Sequence, residues 1–312
     1  MMNQELQQLD RIPVTIVGGY LGAGKTTLIN HLLRNANGKR LAILVNEFGK
    51  LPIDGDLIES IEGEVINVVG GCICCSYGES MISGLMDLTD IKPSLDYVVI
   101  EASGVAIPGS IATTVQLLDG FSLNGIITIA DCDTLLDFVE DPYLSDTIKT
   151  QFAHSDITIV NKIDLANEET HTTVIDWLSQ NYPTTQLIET CRTIVPPEIV
   201  LDLSNDSGQS EFFESNASHA SVFASTSVQL ENAMDIELLA EALASQALGL
   251  IRVKGFMKSG DGTIKSLQTV GRRWEIKPVQ KQVPCHMVLI GMKSNWNPQS
   301  LQSLIAKFAV DA

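Results

Sequence analysis

Cysteine is scarce in this sequence, and the few cysteines are not distributed as in a disulfide-stabilised protein. Only six occur in 312 residues, and a chain of this length can build a hydrophobic core without disulfides. Three of the six fall within the stretch GGCICCSYG, residues 70–78. Clustered thiols outside a disulfide framework indicate a reducing compartment, where cysteines bind metals or take part in chemistry.

Long apolar segments are also missing. No run of eighteen apolar residues occurs, so the sequence predicts no transmembrane helix. The first residues, MMNQELQQLDR, are polar and contain no apolar stretch of the signal-peptide kind. We therefore expect a soluble protein of the cytoplasm that does not associate with a membrane.

Basic residues are few, and their shortage is confined to one part of the chain. Residues 1–220 contain ten Lys and Arg against thirty-one Asp and Glu, whereas residues 221–312 contain ten against seven. The acidic part argues against nucleic acid as a partner, because phosphates would repel it. The change in charge falls in a polar stretch rich in Ser, Asn and Gly, residues 204–220. We predict a first domain at 1–205, a linker at 206–220 and a second domain at 221–312.

The pattern of apolar residues predicts two different folds in these two domains. In the first, short β-branched runs alternate with helical patterns such as Thr26–Ala36, which indicates an α/β domain with a mostly parallel sheet covered on both faces. In the second, a strand, a helix, several strands and a final helix indicate a smaller α+β domain. The strands predicted in the first domain are Ile12–Gly19, Leu41–Asn46, Val65–Val69, Asp96–Glu101, Gly125–Asp131 and Asp156–Asn161.

A phosphate-binding motif, GGYLGAGKTT, follows the first predicted strand and opens the first predicted helix. Its spacing is that of a P-loop, in which glycines let backbone N–H groups face the phosphates at the positive end of a helix. Lys25 can reach the β- and γ-phosphates, and the Thr26 hydroxyl can bind Mg²⁺. The residues predicted to contact nucleotide here are Gly19, Gly22, Ala23, Gly24, Lys25, Thr26 and Thr27.

A second motif, NKID, follows the last strand predicted in this domain and indicates which base is bound. Asp164 can accept hydrogen bonds from both N1–H and the exocyclic amine of guanine, a pattern that adenine does not present. We therefore expect Asn161, Lys162 and Asp164 to form a guanine site.

A third motif, EASG, ends the strand that contains DYVVI. Glu101 is suited to act on magnesium or its water shell, and the Gly104 N–H to sense the γ-phosphate, so that this turn changes shape on hydrolysis. Together with Lys25 and Thr26, these residues are the predicted catalytic set. The three motifs predict a GTP-binding switch protein.

The order of the motifs resembles that of the CobW-type metallochaperone GTPases. The shared segments are GGYLGAGKTT, VNEFG, GGCICC, EASGVAIP and NKID, and GLIRVKGFM, LQTVG and MVLIG are similar to the C-terminal domain of that family. The resemblance implies a protein that binds GTP with Mg²⁺, hydrolyses it slowly and delivers zinc, cobalt or a related metal to a client protein. It leaves the oligomeric state open, a homo-oligomer included.

The cysteine cluster then becomes a candidate metal site. Three thiolates on one glycine-rich loop, from Cys72, Cys74 and Cys75, suit a thiophilic ion such as Zn²⁺ and leave a fourth position open. Three alternatives remain: small buried hydrophobes, a redox switch, and a purely structural zinc. The isolated cysteines, which we expect in the core, are Cys132, Cys191 and Cys285.

The resemblance also identifies the stretch NEFGKLPIDGD as the segment that responds to nucleotide. It implies that Glu47 and Asp54 touch magnesium or the second metal, although Lys50 stands where many relatives have an acidic residue. The sequence shows no clear arginine finger or catalytic glutamine, so we expect slow turnover. The rival function is a zinc-sensing regulatory GTPase that binds partners without transferring metal.

Overall fold

The computed structural model describes residues 11–36, 39–45, 66–69, 79–90, 95–201, 223–245, 248–279, 283–295 and 298–310. The chain divides into two compact units, one of residues 1–183 and 187–201 and the other of residues 184–186 and 202–312. Among the helices in the described ranges, none is long and apolar enough to cross a membrane.

The N-terminal unit is built on one sheet, which has seven strands within the described residues in the order β3-β2-β4-β1-β5-β6-β7. The pairs from β3 through β6 are all parallel. Because parallel strands end at one edge of a sheet, the loops after β1, β4 and β6 lie at the same edge. The strands are β1 (Ile12–Gly19), β2 (Leu41–Val45), β3 (Ile66–Val69), β4 (Tyr97–Glu101), β5 (Phe121–Asp131), β6 (Ile157–Asn161) and β7 (Gln186–Glu189).

Helices lie between most of these strands along the chain, and their apolar residues are buried in two core clusters. One core cluster includes Ile16, Ile100 and Leu85, and another includes Val160, Phe152 and Leu178. Continuous apolar strands such as β4, which is buried at every position, are expected where both faces of a sheet are covered. The described helices of this unit are α1 (Lys25–Arg34), α2 (Glu79–Asp90), α3 (Pro108–Leu117), α4 (Leu135–Glu140), α5 (Ser145–Phe152), α6 (Glu168–Asn181) and α7 (Pro197–Val200).

The C-terminal unit contains an antiparallel sheet of five strands within its described part, in the order β12-β11-β10-β13-β8. Its core joins Leu239 of the first helix to Val253, Leu267 and Leu289 of the sheet. Its elements are β8 (Phe223–Gln229), β9 (Ala233–Met234), α8 (Ile236–Leu243), β10 (Leu250–Lys258), β11 (Ile264–Val270), β12 (Arg273–Val279), β13 (His286–Met292), a 3₁₀ turn (Lys293–Asn295), α9 (Pro298–Lys307) and β14 (Ala309–Val310).

The predicted fold class is confirmed, an α/β unit with a parallel sheet followed by an α+β unit. The main difference is that β5 begins at Phe121, four residues before the predicted strand. The sequence pattern places the start of this strand at the glycine at 125, but that glycine lies inside β5, where a register shift occurs in the pairing with β1. The predicted linker, residues 206–220, lies outside the described residues.

Candidate nucleotide site

The P-loop connects the end of β1 to the start of α1 through glycines with positive φ. Gly19, Gly22 and Gly24 have φ of 131°, 76° and 117°, conformations that other residues rarely adopt. Space is also limiting, because a β-carbon at Gly19 would lie 2.5 Å from the Ile129 carbonyl oxygen, and one at Gly24 would lie 2.6 Å from Asn161 Nδ2. The glycines therefore allow a close approach of the loop to both β5 and the NKID motif.

Lys25 is held inside this loop. Its side chain is buried, and its Nζ donates to the Tyr20 carbonyl at 3.0 Å, an oxygen that also accepts from the Ala23 N–H at 3.2 Å. The lysine is the first residue of α1, where the unpaired N–H groups and the helix dipole favour an anion. A buried cation at a helix N-terminus, wrapped by glycines, is suited to bind phosphate.

Thr26 and Glu101 meet at the carboxyl ends of β1 and β4. The Thr26 hydroxyl donates to Glu101 Oε1 at 2.9 Å, and Glu101 is only 4% exposed. Glu101 is the last residue of β4, in parallel register with Val17 of β1. Hydroxyl and carboxylate oxygens are the ligands that Mg²⁺ prefers. The two side chains therefore fit a magnesium ion by the chemistry of their oxygen atoms.

The loop that follows β4, residues 102–107, lies directly against the P-loop. Its Ala102 N–H donates to the Val17 carbonyl at 2.9 Å. A β-carbon at Gly104 would lie 2.6 Å from Leu21 Cγ and 2.9 Å from the Leu21 nitrogen. The structure thus brings Gly104 into contact with the phosphate-binding loop. We name residues 102–107 the Gly104 loop.

Asn161 joins the P-loop to a third loop. Its side-chain Nδ2 donates to the Ala23 carbonyl at 2.8 Å, and its Oδ1 accepts from the Thr193 N–H at 2.8 Å. Asn161 is 2% exposed. The nitrogen and the oxygen of the Asn161 side-chain amide both form hydrogen bonds with main-chain groups. Asn161 therefore fixes the distance between the P-loop and the loop after β7.

Lys162 and Asp164 occupy the turn that follows β6. Lys162 has a left-handed backbone, with φ of 62°, and its Nζ donates to Asp131 Oδ2 at 2.6 Å. Asp131 is buried at the end of the neighbouring strand β5. Asp164 is exposed, so its carboxylate is accessible to a ligand.

Cys191 lies beside Asp164, so the prediction that it belongs to the core was wrong. The residue is half-buried, and burial, followed by the hydrogen-bonded carboxylate of Asp164, raises the pKa of its thiol. Cys132 is buried as predicted, and Cys285 is half-buried and packs against the C-terminal core.

Sequence reasoning missed two further contributors to the site. One is Asp131, which pairs with Lys162. Its position at the end of the strand next to β6 could have indicated this contact from the sequence. The other is the turn after β7, where Arg192 and Thr193 have φ of 55° and 51°. Nothing in the residues TCRT distinguishes this turn from an ordinary loop, because its contact with Asn161 depends on the order of the strands.

The predicted thiolate ligands Cys72, Cys74 and Cys75 lie outside the described residues, and so do Glu47 and Asp54, which were predicted to touch magnesium or the second metal. Within the part of the chain that the structure describes, no three His, Cys, Asp or Glu side chains are grouped so as to hold a metal ion. The cysteine site therefore remains a prediction from the sequence.

Comparison with known proteins identifies relatives of most of the chain. The "Zinc chaperone CobW" of Pseudomonas aeruginosa is 30% identical over 231 residues, which cover 64% of this chain and 62% of that protein. The "Zinc-regulated GTPase metalloprotein activator 1" of Schizosaccharomyces pombe is 39% identical over 171 residues, covering 52% and 41%. The chain thus spans less than two thirds of the length of either relative. A crystal structure of Zn(II)-bound YjiA GTPase from E. coli is 21% identical and covers 96% of this chain and 99% of that one, with a TM-score of 0.46.

Two family descriptions match the two folded parts of the chain. Residues 13–189 match "CobW/HypB/UreG, nucleotide-binding domain", and residues 223–309 match "Cobalamin synthesis protein cobW C-terminal domain". The first match alone spans more than half of the chain. Together the two matches confirm the family that the order of the motifs resembles. The chain belongs to the CobW/HypB/UreG family.

Proposed function

We propose that the chain is a GTP-dependent metal chaperone, which binds a divalent transition metal, zinc or cobalt, and couples its delivery to a client protein to GTP hydrolysis. One observation supports the GTPase part of this proposal: three motifs lie together at one edge of the sheet. Lys25, the Thr26–Glu101 pair and the turn after Asn161 are connected there by hydrogen bonds. The names of the relatives support zinc as the cargo.

Phosphoryl transfer needs groups that hold the phosphates and stabilise their charge. The P-loop N–H groups and Lys25 would orient the β- and γ-phosphates at the N-terminus of α1. Thr26 and Glu101 would hold Mg²⁺, which when bound neutralises charge on the phosphate oxygens. Gly104 would detect the γ-phosphate with its N–H. Because the sequence shows no clear arginine finger, intrinsic turnover would take on the order of minutes or longer.

Base selection would come from Asp164. Its exposed carboxylate can accept from the two donors on the Watson–Crick edge of guanine. Asn161 then has a positioning role, because it holds the turn of Lys162 and Asp164 next to Ala23 of the P-loop.

The metal would bind at Cys72, Cys74 and Cys75, with Glu47 next to the nucleotide. A three-thiolate site with one open position suits an ion that must be passed on. Thiols that serve this purpose must stay reduced, which is why we propose a cytoplasmic location. We also keep the domain proposal of 1–205 and 221–312 around a linker, with the client, a metal-requiring protein, as partner.

A single-turnover experiment tests the coupling. The full chain, loaded with one Zn²⁺, is mixed with GTP and Mg²⁺ in the presence of a chromogenic zinc chelator, while phosphate release is followed in parallel. We expect zinc to reach the chelator in step with hydrolysis, and much more slowly with a non-hydrolysable GTP analogue. Hydrolysis without zinc release would contradict delivery and support the zinc-sensing alternative. Absence of hydrolysis would contradict the GTPase itself.

A further inference from the structure

A glutamine outside the motifs contacts the loop that should sense the γ-phosphate. Gln151 lies on α5 and is fully buried. Its Nε2 donates to the Gly104 carbonyl at 2.9 Å and to the Ala106 carbonyl at 3.0 Å. The two accepting oxygens belong to the 104–105 and 106–107 peptide groups, so one side chain fixes two peptide planes of the loop.

The positions of its hydrogen-bond acceptors determine which way the Gln151 side-chain amide faces. The NH₂ group has two hydrogens, and each has an acceptor in the Gly104 loop. Turning the amide over would place Oε1 against two carbonyl oxygens, which repel it. Gln151 therefore holds the loop in one arrangement.

The other end of the Gln151 amide, the oxygen Oε1, is also buried, and the packing of the side chain does not explain why a polar atom is there. Among the residues that the structure describes, none donates a hydrogen bond to the buried Gln151 Oε1. A buried acceptor without a partner destabilises the fold, and an apolar side chain of equal length would avoid that penalty. What the amide adds at this position is the pair of hydrogen bonds to the Gly104 loop.

The helix that carries Gln151 is itself well anchored. Ile148 and Phe152 pack in the core beside it, and the Thr128 hydroxyl of β5 donates to the Gln151 main-chain carbonyl at 3.3 Å. The far side of the Gly104 loop contacts the P-loop, since Gly104 lies against Leu21. The loop is thus held between a fixed donor on α5 and the phosphate-binding segment.

We propose that Gln151 is a positioning residue that holds the Gly104 loop in the arrangement able to bind the γ-phosphate, and so sets how strongly the site distinguishes GTP from GDP. The inference rests on the proposed function, because it assumes that the Gly104 N–H meets the γ-phosphate. Gln151 acts through the loop and does not touch the nucleotide in this account.

The test compares a variant that loses the two side-chain hydrogen bonds of Gln151 with one that loses a single bond to the Gln151 main chain. Gln151→Met keeps the length of the side chain, removes both donating hydrogens and removes the acceptor Oε1. Thr128→Val, the matched control, removes only the bond to the Gln151 main chain. For each full-length protein, affinities for GDP and for a non-hydrolysable GTP analogue are measured with Mg²⁺, together with kcat and KM for GTP and the thermal midpoint.

In Gln151→Met we expect affinity for the analogue to fall at least about fivefold, the low end of typical coupling, while GDP affinity changes less than about twofold. The kcat should fall as well, and Thr128→Val should keep the wild-type ratio of the two affinities. Equal ratios in wild type and Gln151→Met would overturn the inference. Failure of the wild type to bind GTP would instead overturn the proposed function.

Hydrogen exchange of the wild-type chain keeps the inference testable if Gln151→Met does not fold. The amides of residues 104–106 should exchange more slowly with the GTP analogue than with GDP. Identical exchange in the two states would show that the Gly104 loop does not respond to the γ-phosphate, and the role of Gln151 would fall with it.

Discussion

The side-chain amide of Asn161 donates to the Ala23 carbonyl at 2.8 Å and thereby connects the NKID turn to the P-loop. The partner of its other end, the Thr193 N–H, belongs to a turn with left-handed backbone. One buried side chain thus keeps three loops in register around the candidate nucleotide site. Loops positioned in this way by a rigid sheet are where binding residues are commonly found.

Asn161→Ala should weaken both the fold and nucleotide binding. The Ala23 carbonyl and Thr193 N–H would lose their partner, at about 1–3 kcal/mol for each buried group left unsatisfied. Because the loops would then have to be ordered by the ligand, we expect GTP affinity to fall about tenfold, or 1.4 kcal/mol. Urea unfolding without nucleotide and a GTP titration measure the two effects.

Asn167→Ala is the matched control for that substitution. Asn167 caps α6 by accepting from the Thr170 N–H at 2.9 Å, and its loss should cost about 1 kcal/mol of stability. GTP affinity should stay at the wild-type value. If both variants bind GTP equally well, Asn161 has no positioning role.

Asp164 should determine the choice of base. We expect the wild type to prefer GTP over ATP by at least about a hundredfold, because adenine does not present the two donors that the Asp164 carboxylate accepts from in guanine. Asp164→Asn should shift the preference toward xanthosine triphosphate, whose base offers an acceptor where guanine has the amine. Competition binding with the three nucleotides measures this preference, and equal affinity of the wild type for ATP and GTP would argue against a guanine site.

Thr26→Val should raise the Mg²⁺ concentration needed for GTP hydrolysis. The substitution keeps the shape of the side chain but removes the hydroxyl that donates to Glu101 at 2.9 Å. Changes at groups that orient or bind a metal cost about 10–100-fold in affinity, so we expect a half-saturating Mg²⁺ concentration higher by that factor. Thr172→Val removes a helix-surface hydroxyl bonded to the Glu168 carbonyl and serves as the control. The same Mg²⁺ dependence in both variants would contradict the assignment.

The sequence was sufficient to predict those features of the fold that depend on a local pattern of residues. The apolar run of β1 followed by a glycine-rich turn predicted the strand, the P-loop and the start of α1 nearly to the residue. Contacts between distant segments were not predictable in this way. Gln151 lies in a helix whose polar residues gave no sign of burial, and Thr193 meets Asn161 only because β7 lies beside β6. The prediction for Cys191 fails for the same reason, because its isolation in the sequence carries no information about its contact with Asp164.

The buried thiol of Cys132 should make stability depend on pH in the alkaline range. Burial, and then the charge of Asp131, raises the pKa of this thiol from 9.0 to about 11. An unfolded chain therefore loses this proton near pH 9, whereas the folded chain keeps it until about pH 11, so stability falls with rising pH between the two values. In Cys132→Ala, the decline of the unfolding free energy from pH 8 to 11 should be shallower than in wild type. Parallel curves for the two proteins would contradict the pKa shift.

We propose that the cysteine metal site and the nucleotide site are coupled, and zinc affinity in two nucleotide states tests this coupling most directly. By linkage, a GTP state that favours metal binding is itself favoured by metal to the same degree. We expect Zn²⁺ to bind about 5–150-fold more tightly with Mg²⁺ and a non-hydrolysable GTP analogue than with GDP, the usual range of such coupling. Replacing Cys72, Cys74 and Cys75 together by Ala should abolish this binding. Equal zinc affinity in the two nucleotide states, or undiminished binding by the triple variant, would contradict the account.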